Sequence, residues 1–167
     1  MDFNEVNKKR FSCRSFLDKK VLTSTLCEIV GDAILAPSAV NYQPTRFIIV
    51  ENEDLIEKFK EASKYIFNAK SLIVLYYDSN VSWKRGRDGK DYGIVDASLC
   101  AQNLMLSVTN HKLGTVFVGS FNEGLVKNIL GLGETDCVVG IFPIGYIKEG
   151  KEHGSRYSID DLCTIIK

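Results

Sequence analysis

The segment from Ile34 to Val50 reads ILAPSAVNYQPTRFIIV and joins two elements of different kinds. Apolar residues at helical spacing lead into it, and Pro37 ends that helix because the proline ring cannot continue a helical backbone. The residues from Phe47 to Val50 form a short apolar run with β-branched side chains, which predicts a buried strand. The chain therefore passes from helix to strand through a loop that holds two of its three prolines.

The loop between them, residues 38–43, carries polar side chains. Pro44 keeps Gln43 out of the helical region, so we predict a constrained, extended loop. Ser38, Asn41 and Gln43 supply both hydrogen-bond donors and acceptors. Two interpretations stay open. The side chains bind the edge of a flat heteroaromatic ligand, or they form turns that satisfy their own backbone.

Outward from this loop, the pattern predicts one α+β domain over residues 1–167, with about four strands flanked by helices. The clearest strand is SLIVLYY, residues 71–77. The longest helix, near 92–112, is apolar almost all round and should lie centrally, buried in the core. Further strands are predicted at 115–119 and at 138–147, where Pro143 favours an edge or a bulge. Further helices are predicted at 2–9, 23–35, 52–66, 122–130 and after 158, with caps at Thr23 or Ser24, Asn52, Asn122 and Ser158.

Composition restricts the environment and the partners. The chain has 167 residues, 45% of them hydrophobic, and a formal net charge of zero. It contains no apolar run of about 18 residues and no amino-terminal signal, so we expect a cytoplasmic protein without a membrane partner. Its five cysteines include no CxxC pair, which argues against a metal site or a disulfide framework. We also expect no nucleic-acid partner, since no global positive charge is present.

Side-chain catalysis has few candidates in this sequence. No nucleophile elbow, zinc-protease motif or P-loop occurs, and the only histidines are His111 and His153. His111 lies near the end of the longest predicted helix, where a role at the helix terminus is the better interpretation. If the protein is an enzyme, a cofactor should therefore carry the reaction.

A basic cluster extends from Lys8 to Lys20 in this otherwise neutral chain and suggests a small anionic ligand. In an extended segment, Arg10, Ser12 and Arg14 face the same side. Two guanidinium groups and a hydroxyl are a suitable donor set for a phosphate dianion. The alternative is a solvated basic turn.

Three ordered motifs carry a resemblance to a known family. They are RFSCR at 10–14, APSAVNYQPTRFIIV at 36–50 and LGTVFVGSF at 113–121. Together they resemble the FMN-dependent nitroreductases. The resemblance implies an α+β fold with a mixed sheet flanked by helices, in an intertwined homodimer with two FMN sites at the subunit interface. It implies FMN as cofactor and NADH or NADPH as electron donor.

The resemblance also implies roles for individual residues. Arg10 and Ser12 would hold the FMN phosphate, and Arg14 would reach the phosphate or the pyrimidine edge. Arg14 is thereby the catalytic candidate, since its charge would stabilise reduced flavin near N1 and O2. Asn68 would contact the flavin or, alternatively, cap a helix. The remaining cofactor-binding residues implied are Pro37, Ser38, Asn41 and Gln43 from the partner subunit, the backbone of Leu113, Gly114 and Thr115, and the phosphate ligand Arg156.

This chain departs from the family pattern at Gly154, where a basic residue is frequent. The phosphate is then held by one charge fewer, or Lys151 replaces the missing group. The choice between NADH and NADPH also stays open. Lys84, Arg85 and Arg87 could bind a 2′-phosphate, or they could simply be a solvated loop.

The implied activity is hydride transfer from NAD(P)H through flavin N5 to a small-molecule acceptor, such as a nitroaromatic or a quinone, by a ping-pong mechanism. No protein general acid is evident. Two alternatives stay open: a flavin-binding or flavin-sensing dimer without physiological turnover, and a flavin-dependent dehalogenase-type relative.

Overall fold

The computed structural model describes residues 1–151 and 154–167, so His153 lies outside the described residues. Helices and strands follow one another as the sequence pattern predicts, with shorter bounds at several ends. In chain order they are α1 (Phe3–Lys9), α2 (Thr23–Ala33), β1 (Thr45–Val50), α3 (Glu53–Ala62), β2 (Ser71–Asp78), α4 (Gly93–Asn110), β3 (Gly114–Thr115), α5 (Glu123–Leu130), β4 (Asp136–Gly145) and α6 (Ile159–Leu162).

The four strands form one sheet in the order β1-β2-β4-β3. Each neighbouring pair is antiparallel, and β2 lies at the centre with six partners on β1 and eight on β4. The four strands are thus antiparallel and not mixed as the resemblance implied, and the parallel pairing of Ser12 with Thr115 is an isolated bridge outside them. The predicted α+β class and strand number are confirmed.

Both faces of the sheet are covered. Leu72 and Val74 of β2 pack into a core with α3 and α5, whereas Ile73 and Leu75 pack into a second core with α2 and α4. All four side chains are fully buried, as expected for a strand whose alternate residues face two hydrophobic layers. The continuous apolar run in the sequence reflects this two-sided burial.

Helix α4 is the longest helix among the described residues, as predicted, but only one face of it lies against the second core, so the prediction of a helix buried all round is wrong for the single chain. Ala97, Ala101 and Leu104 are buried there. The opposite face is apolar as well, but Val95 and Leu99 on it are exposed in the single chain. The apolar pattern all round this helix therefore exceeds what one chain buries.

Three of the predicted caps are confirmed and one is wrong. Asn52 Oδ1 accepts from Leu55 N at 2.9 Å, and the Asn122 side chain caps α5 in the same way. Ser158 and Asp161 form a capping box at α6. Helix α2, however, begins after Leu22 without a side-chain cap. Its candidate caps fail because Thr23 already lies inside the helix, where its hydroxyl donates to Glu51.

The third predicted strand is shorter than expected because of Pro143. Strand β3 pairs Thr115 with Ile144, which places the next residue, Val116, opposite the proline. Since proline has no N–H to donate, pairing stops there and resumes only at a bridge between Val118 and Ile141.

None of the helices in the described part of the chain is long and apolar enough to cross a membrane.

Candidate functional site

A cavity of about 680 Å³ opens beside the amino-terminal helix and α4. Side chains from five parts of the chain converge on it: the end of α1, the segment that follows, the middle of α4, the segment after β3 and the carboxyl-terminal segment. They are Asn7, Lys8, Arg10, Ser12, Gln102, Met105, Phe117 and Arg156. We call this the cationic cleft, because three of these side chains are basic and none is acidic.

The two arginines of the cleft are close enough to repel each other. Burial, and then the charge of Arg156, lower the pKa of Arg10 below its ordinary value. A site that gathers cations and desolvates one of them is at lower energy when an anion lies between them. Two guanidinium groups with the Ser12 hydroxyl fit a phosphate group, which accepts hydrogen bonds from both types of donor.

Ser12 is fixed in place through its main chain. It forms the parallel bridge to Thr115, and Cys13 N donates to Thr115 O at 2.9 Å. Cys13 is fully buried directly behind this segment. A Cβ on Gly114 would lie 2.7 Å from both the Cβ and the Sγ of Cys13. The strand that anchors Ser12 is therefore buried, together with the residue before it: Leu113, Gly114 and Thr115. Packing against Cys13 is enough to require glycine at position 114.

Phe117 forms an apolar wall of the cationic cleft. Its ring packs edge-on against Phe142, with centroids 5.0 Å apart, and it lies over Gly140, where a Cβ would approach within 3.0 Å. The side chain is nevertheless 38% exposed. A rigid aromatic ring that stays partly exposed is available to a planar ligand.

The structure does not bring Arg14 to the other two residues of its motif. Arg14 is exposed, and its Nη1 donates to Ser12 O at 3.3 Å instead of lining the cationic cleft. The expectation that residues 10, 12 and 14 face one side is therefore wrong for the third. The reason is that Cys13 and Phe16, three positions apart, are both buried, so the two-residue alternation does not continue.

The polar loop at residues 38–43 is compact, so the expectation of an extended loop is wrong. Ala39–Asn41 forms a 3₁₀ turn, and Val40, Asn41 and Gln43 all have positive φ, at 46°, 57° and 50°. Pro44 does exclude Gln43 from the right-handed helical region, but the backbone enters the left-handed region instead.

Within the single chain, the loop satisfies its own hydrogen bonds. Ser38 Oγ accepts from Gln43 N at 3.0 Å, and Gln43 Nε2 donates to Asn41 Oδ1 at 3.2 Å. Arg46 Nη1 donates to Gln43 O at 2.7 Å. Ser38 and Gln43 line a separate cavity of about 440 Å³, and Pro37 is exposed. In the single chain, the polar side chains of the loop therefore form turns that satisfy their own backbone. Ligand binding by Pro37, Ser38, Asn41 and Gln43 stays a prediction.

Comparison with known proteins identifies the family. The model of the nitroreductase family matches residues 8–71 and 63–146. The chain belongs to the nitroreductase family. Members are oxidoreductases, and so this protein is an enzyme of that class. The resemblance drawn from the three sequence motifs is confirmed.

Individual nitroreductases extend the match over nearly the whole chain. A nitroreductase family protein of Clostridium difficile 630 is 29% identical, with a TM-score of 0.92 over 98% of both chains. A provisionally named NADH dehydrogenase/NAD(P)H nitroreductase of Methanothermobacter thermautotrophicus is 29% identical over 157 residues, covering 89% of this chain and 79% of the relative. A nitroreductase of Exiguobacterium sibiricum in complex with FMN shares the fold, with 19% identity and a TM-score of 0.88 over 99% of this chain and 98% of that one.

Asn68 has a structural partner within the chain. Its Nδ2 donates to Phe16 O at 2.6 Å and its Oδ1 accepts from Phe16 N at 3.1 Å. It lines a third cavity, away from the cationic cleft. The helix-cap alternative is wrong, because the preceding 3₁₀ turn, Lys64–Ile66, has Phe67 as its C-cap. A flavin contact stays a prediction that competes with this backbone clamp.

The basic side chains considered for NADPH lie on an ordered loop. Lys84 pairs with Asp91 at 3.6 Å, and Arg85 forms an ion pair with Asp88. Arg87 is exposed. Because Lys84 and Arg85 already have anionic partners, they fit the interpretation of a solvated loop.

Five of the residues that line the cleft were not predicted from the sequence as site residues. Lys8 was signalled by the basic cluster, and Gln102 by its polarity within an apolar helix. Phe117 was signalled only by its place in the third motif. The other two, Asn7 and Met105, carry no sequence signal that separates them from other surface and core positions.

Proposed function

We propose that this protein is an FMN-dependent NAD(P)H oxidoreductase that reduces nitroaromatics, quinones or similar acceptors. The observation that carries the proposal is the cationic cleft, which Arg10, Ser12 and Arg156 line together. The family match and the names of relatives support the electron donor. The FMN complex of a protein with the same fold supports the cofactor.

The residues present fit FMN. A phosphate would lie between Arg10 and Arg156, where the cations otherwise repel each other. The planar ring would lie toward Phe117 and the strand that begins at Gly114. The resemblance adds the loop 38–43 of a second copy, so we propose a homodimer in which each cleft is completed by the partner. The exposed apolar face of α4 is consistent with such a partner.

When bound, FMN supplies a hydride acceptor at flavin N5 and later a hydride donor at the same atom, which gives a ping-pong cycle. The chain contributes binding, orientation and charge. Arg10 and Arg156 fix the phosphate end, and Phe117 limits tilting of the ring. Arg14 stays the proposed source of positive charge at the pyrimidine edge. In the single chain its side chain is exposed, and its Nη1 donates to Ser12 O.

The visible spectrum tests this function directly. The purified protein, saturated with FMN, is expected to lose its flavin absorbance when NADH or NADPH is added without oxygen, and to regain it when a quinone follows. Initial rates should give parallel double-reciprocal lines. A flavin that stays oxidised with both donors contradicts the enzyme proposal and favours a flavin-binding or flavin-sensing dimer. Protein that takes up no FMN contradicts the cofactor as well.

Lys8 is the candidate for the charge that Gly154 does not supply. It lines the cleft together with Arg10 and Arg156, on the last turn of α1. Because the lysine is exposed, we expect Lys8→Gln to weaken FMN binding by only about three- to tenfold, the effect of a charge in partly screened surroundings. Fluorescence titration of FMN measures it.

Lys151→Gln is the matched comparison for Lys8→Gln. We expect it to leave the FMN dissociation constant unchanged, since Lys151 is absent from the cleft lining. The reverse ranking of the two variants would assign the missing charge to Lys151.

A further inference from the structure

The carboxylate of Asp96 is buried in the first turn of α4 and contacts the polar loop. Asp96 is 2% exposed, and its Oδ1 accepts from Ala39 N at 2.9 Å. Its other oxygen, Oδ2, is buried without a hydrogen-bond partner. A buried carboxylate with one unsatisfied oxygen is costly to keep, so the bond that it does make requires an explanation.

The loop that this bond holds has a strained backbone. Val40, Asn41 and Gln43 have positive φ, and Val40 is β-branched, which makes the left-handed region especially unfavourable for it. Non-glycine residues persist in such conformations only where their surroundings fix them. Ala39, which receives the Asp96 bond, immediately precedes the first of these residues. The anchor therefore lies where the strained turn begins.

The surroundings of Asp96 strengthen this single contact. The residue is in the first turn of an 18-residue helix, whose positive end stabilises a carboxylate. Because Asp96 is almost fully buried, water has little access to the carboxylate oxygen that accepts this bond. A hydrogen bond to an ionised acceptor in such a place is stronger than one to a neutral acceptor.

We infer that Asp96 is a positioning residue, which holds the 38–43 loop in its ligand-binding shape before the ligand arrives. The inference rests on the proposed function, in which this loop contacts the FMN of the partner subunit. Asp96 itself touches no ligand in this arrangement. Its contribution is to offset the strain of the loop in the free protein, so that binding does not have to order the loop.

The competing explanation is that Asp96 only joins α4 to the rest of the fold. Asp32 offers a matched control, because its Oδ2 accepts from Ser107 Oγ at 2.6 Å and so joins α2 to the same helix without touching the loop. Asp32→Ala should lower the melting temperature and leave both the loop and FMN affinity unchanged.

The experiment compares amide hydrogen exchange in the FMN-free protein with FMN affinity by fluorescence titration. Asp96→Ala is expected to speed exchange at Ala39 and to weaken FMN binding, each by about tenfold, the value of one charge-assisted hydrogen bond. Adding Val40→Gly should recover most of the lost affinity, because glycine adopts positive φ without strain. A merely structural role for Asp96 gives no reason for such a rescue.

Two results would overturn the inference. One is unchanged Ala39 exchange and FMN affinity in Asp96→Ala despite a lower melting temperature, as in Asp32→Ala. The other is absence of rescue by Val40→Gly. If Asp96→Ala does not fold, Asp96→Asn decides, since it keeps an acceptor but loses the charge, and unchanged Ala39 exchange in it contradicts the inference. If the wild type binds no FMN, the proposed function fails, while exchange at Ala39 still tests the anchor.

Discussion

Replacement of Arg10 by alanine is expected to weaken FMN binding by about a hundredfold or more, since a half-buried guanidinium makes two charge-assisted bonds to a phosphate. Binding of riboflavin, which lacks the phosphate, should change by less than about threefold, because only the phosphate contact is removed. The variant should therefore lose the preference for FMN over riboflavin. The depressed pKa of Arg10 supports this expectation, since burial and Arg156 already raise the energy of its charge before any anion binds.

The two ligands make the experiment a double-mutant cycle, in which one change is in the protein and the other is in the ligand. Arg10→Lys keeps the charge but loses the forked geometry, and should fall between wild type and Arg10→Ala. Arg87→Ala serves as the control, because it removes an exposed arginine outside the cationic cleft. Equal losses for FMN and riboflavin in Arg10→Ala would show that Arg10 supports the fold or the ring, and would contradict the phosphate assignment.

Part of this site could be predicted because local chemistry dictates it. Strand β2 was recognisable from its apolar run, and Asn52 and Asn122 are caps whose side chains each accept from the backbone N–H three residues along the chain. Arg10 and Ser12 were predicted to share a side from strand geometry alone, and both line the cleft. In each case, the interaction that decides the structure is local in sequence.

The failures arise where distant contacts decide the structure. Arg14 faces away because burial of Cys13 and Phe16 overrides the alternation of the segment. The prolines predicted where the loop begins and ends, but the bond that we propose holds its compact shape joins Ala39 to Asp96, 57 positions apart. Asn68 likewise meets Phe16 only through the tertiary fold. No local pattern contains these pairings.

Gly93 is a further case in which the sequence suggested a different reason for the residue. In the stretch WKRGRDGKDYG it belongs to a glycine-rich loop, which implies backbone flexibility. In the structure it is the first residue of α4, buried against Tyr77 of β2. A Cβ at this position would lie 2.1 Å from Tyr77 Cδ2 and 2.3 Å from its Cε2, so the glycine is required by a close approach of helix and strand.

Gly93→Ala is therefore expected to lower the free energy of unfolding by about 3 kcal/mol, at the upper end of what overpacking costs. The Tyr77 ring cannot simply rotate away. The added Cβ would also lie 2.8 Å from Tyr77 Cγ, so rotation of the ring about its own axis does not relieve the clash. Urea unfolding of the FMN-free protein at fixed concentration measures the effect. Gly86→Ala is the matched control, since nothing lies within 4 Å of a Cβ there, and it should change stability by less than about 0.5 kcal/mol.

A second substitution separates this clash from a general effect of alanine at the helix start. Tyr77→Ala alone should destabilise the protein by leaving a cavity. Combined with Gly93→Ala, it should cost less than the sum of the two single changes, by about 2 kcal/mol, because the ring that the new methyl group meets is gone. Additive effects would mean that ring and methyl group never compete for space. The requirement for glycine at the start of α4 would then arise from the backbone conformation there. The position of Asp96, three residues further on, would likewise be set by that backbone and not by the packing of α4 on β2.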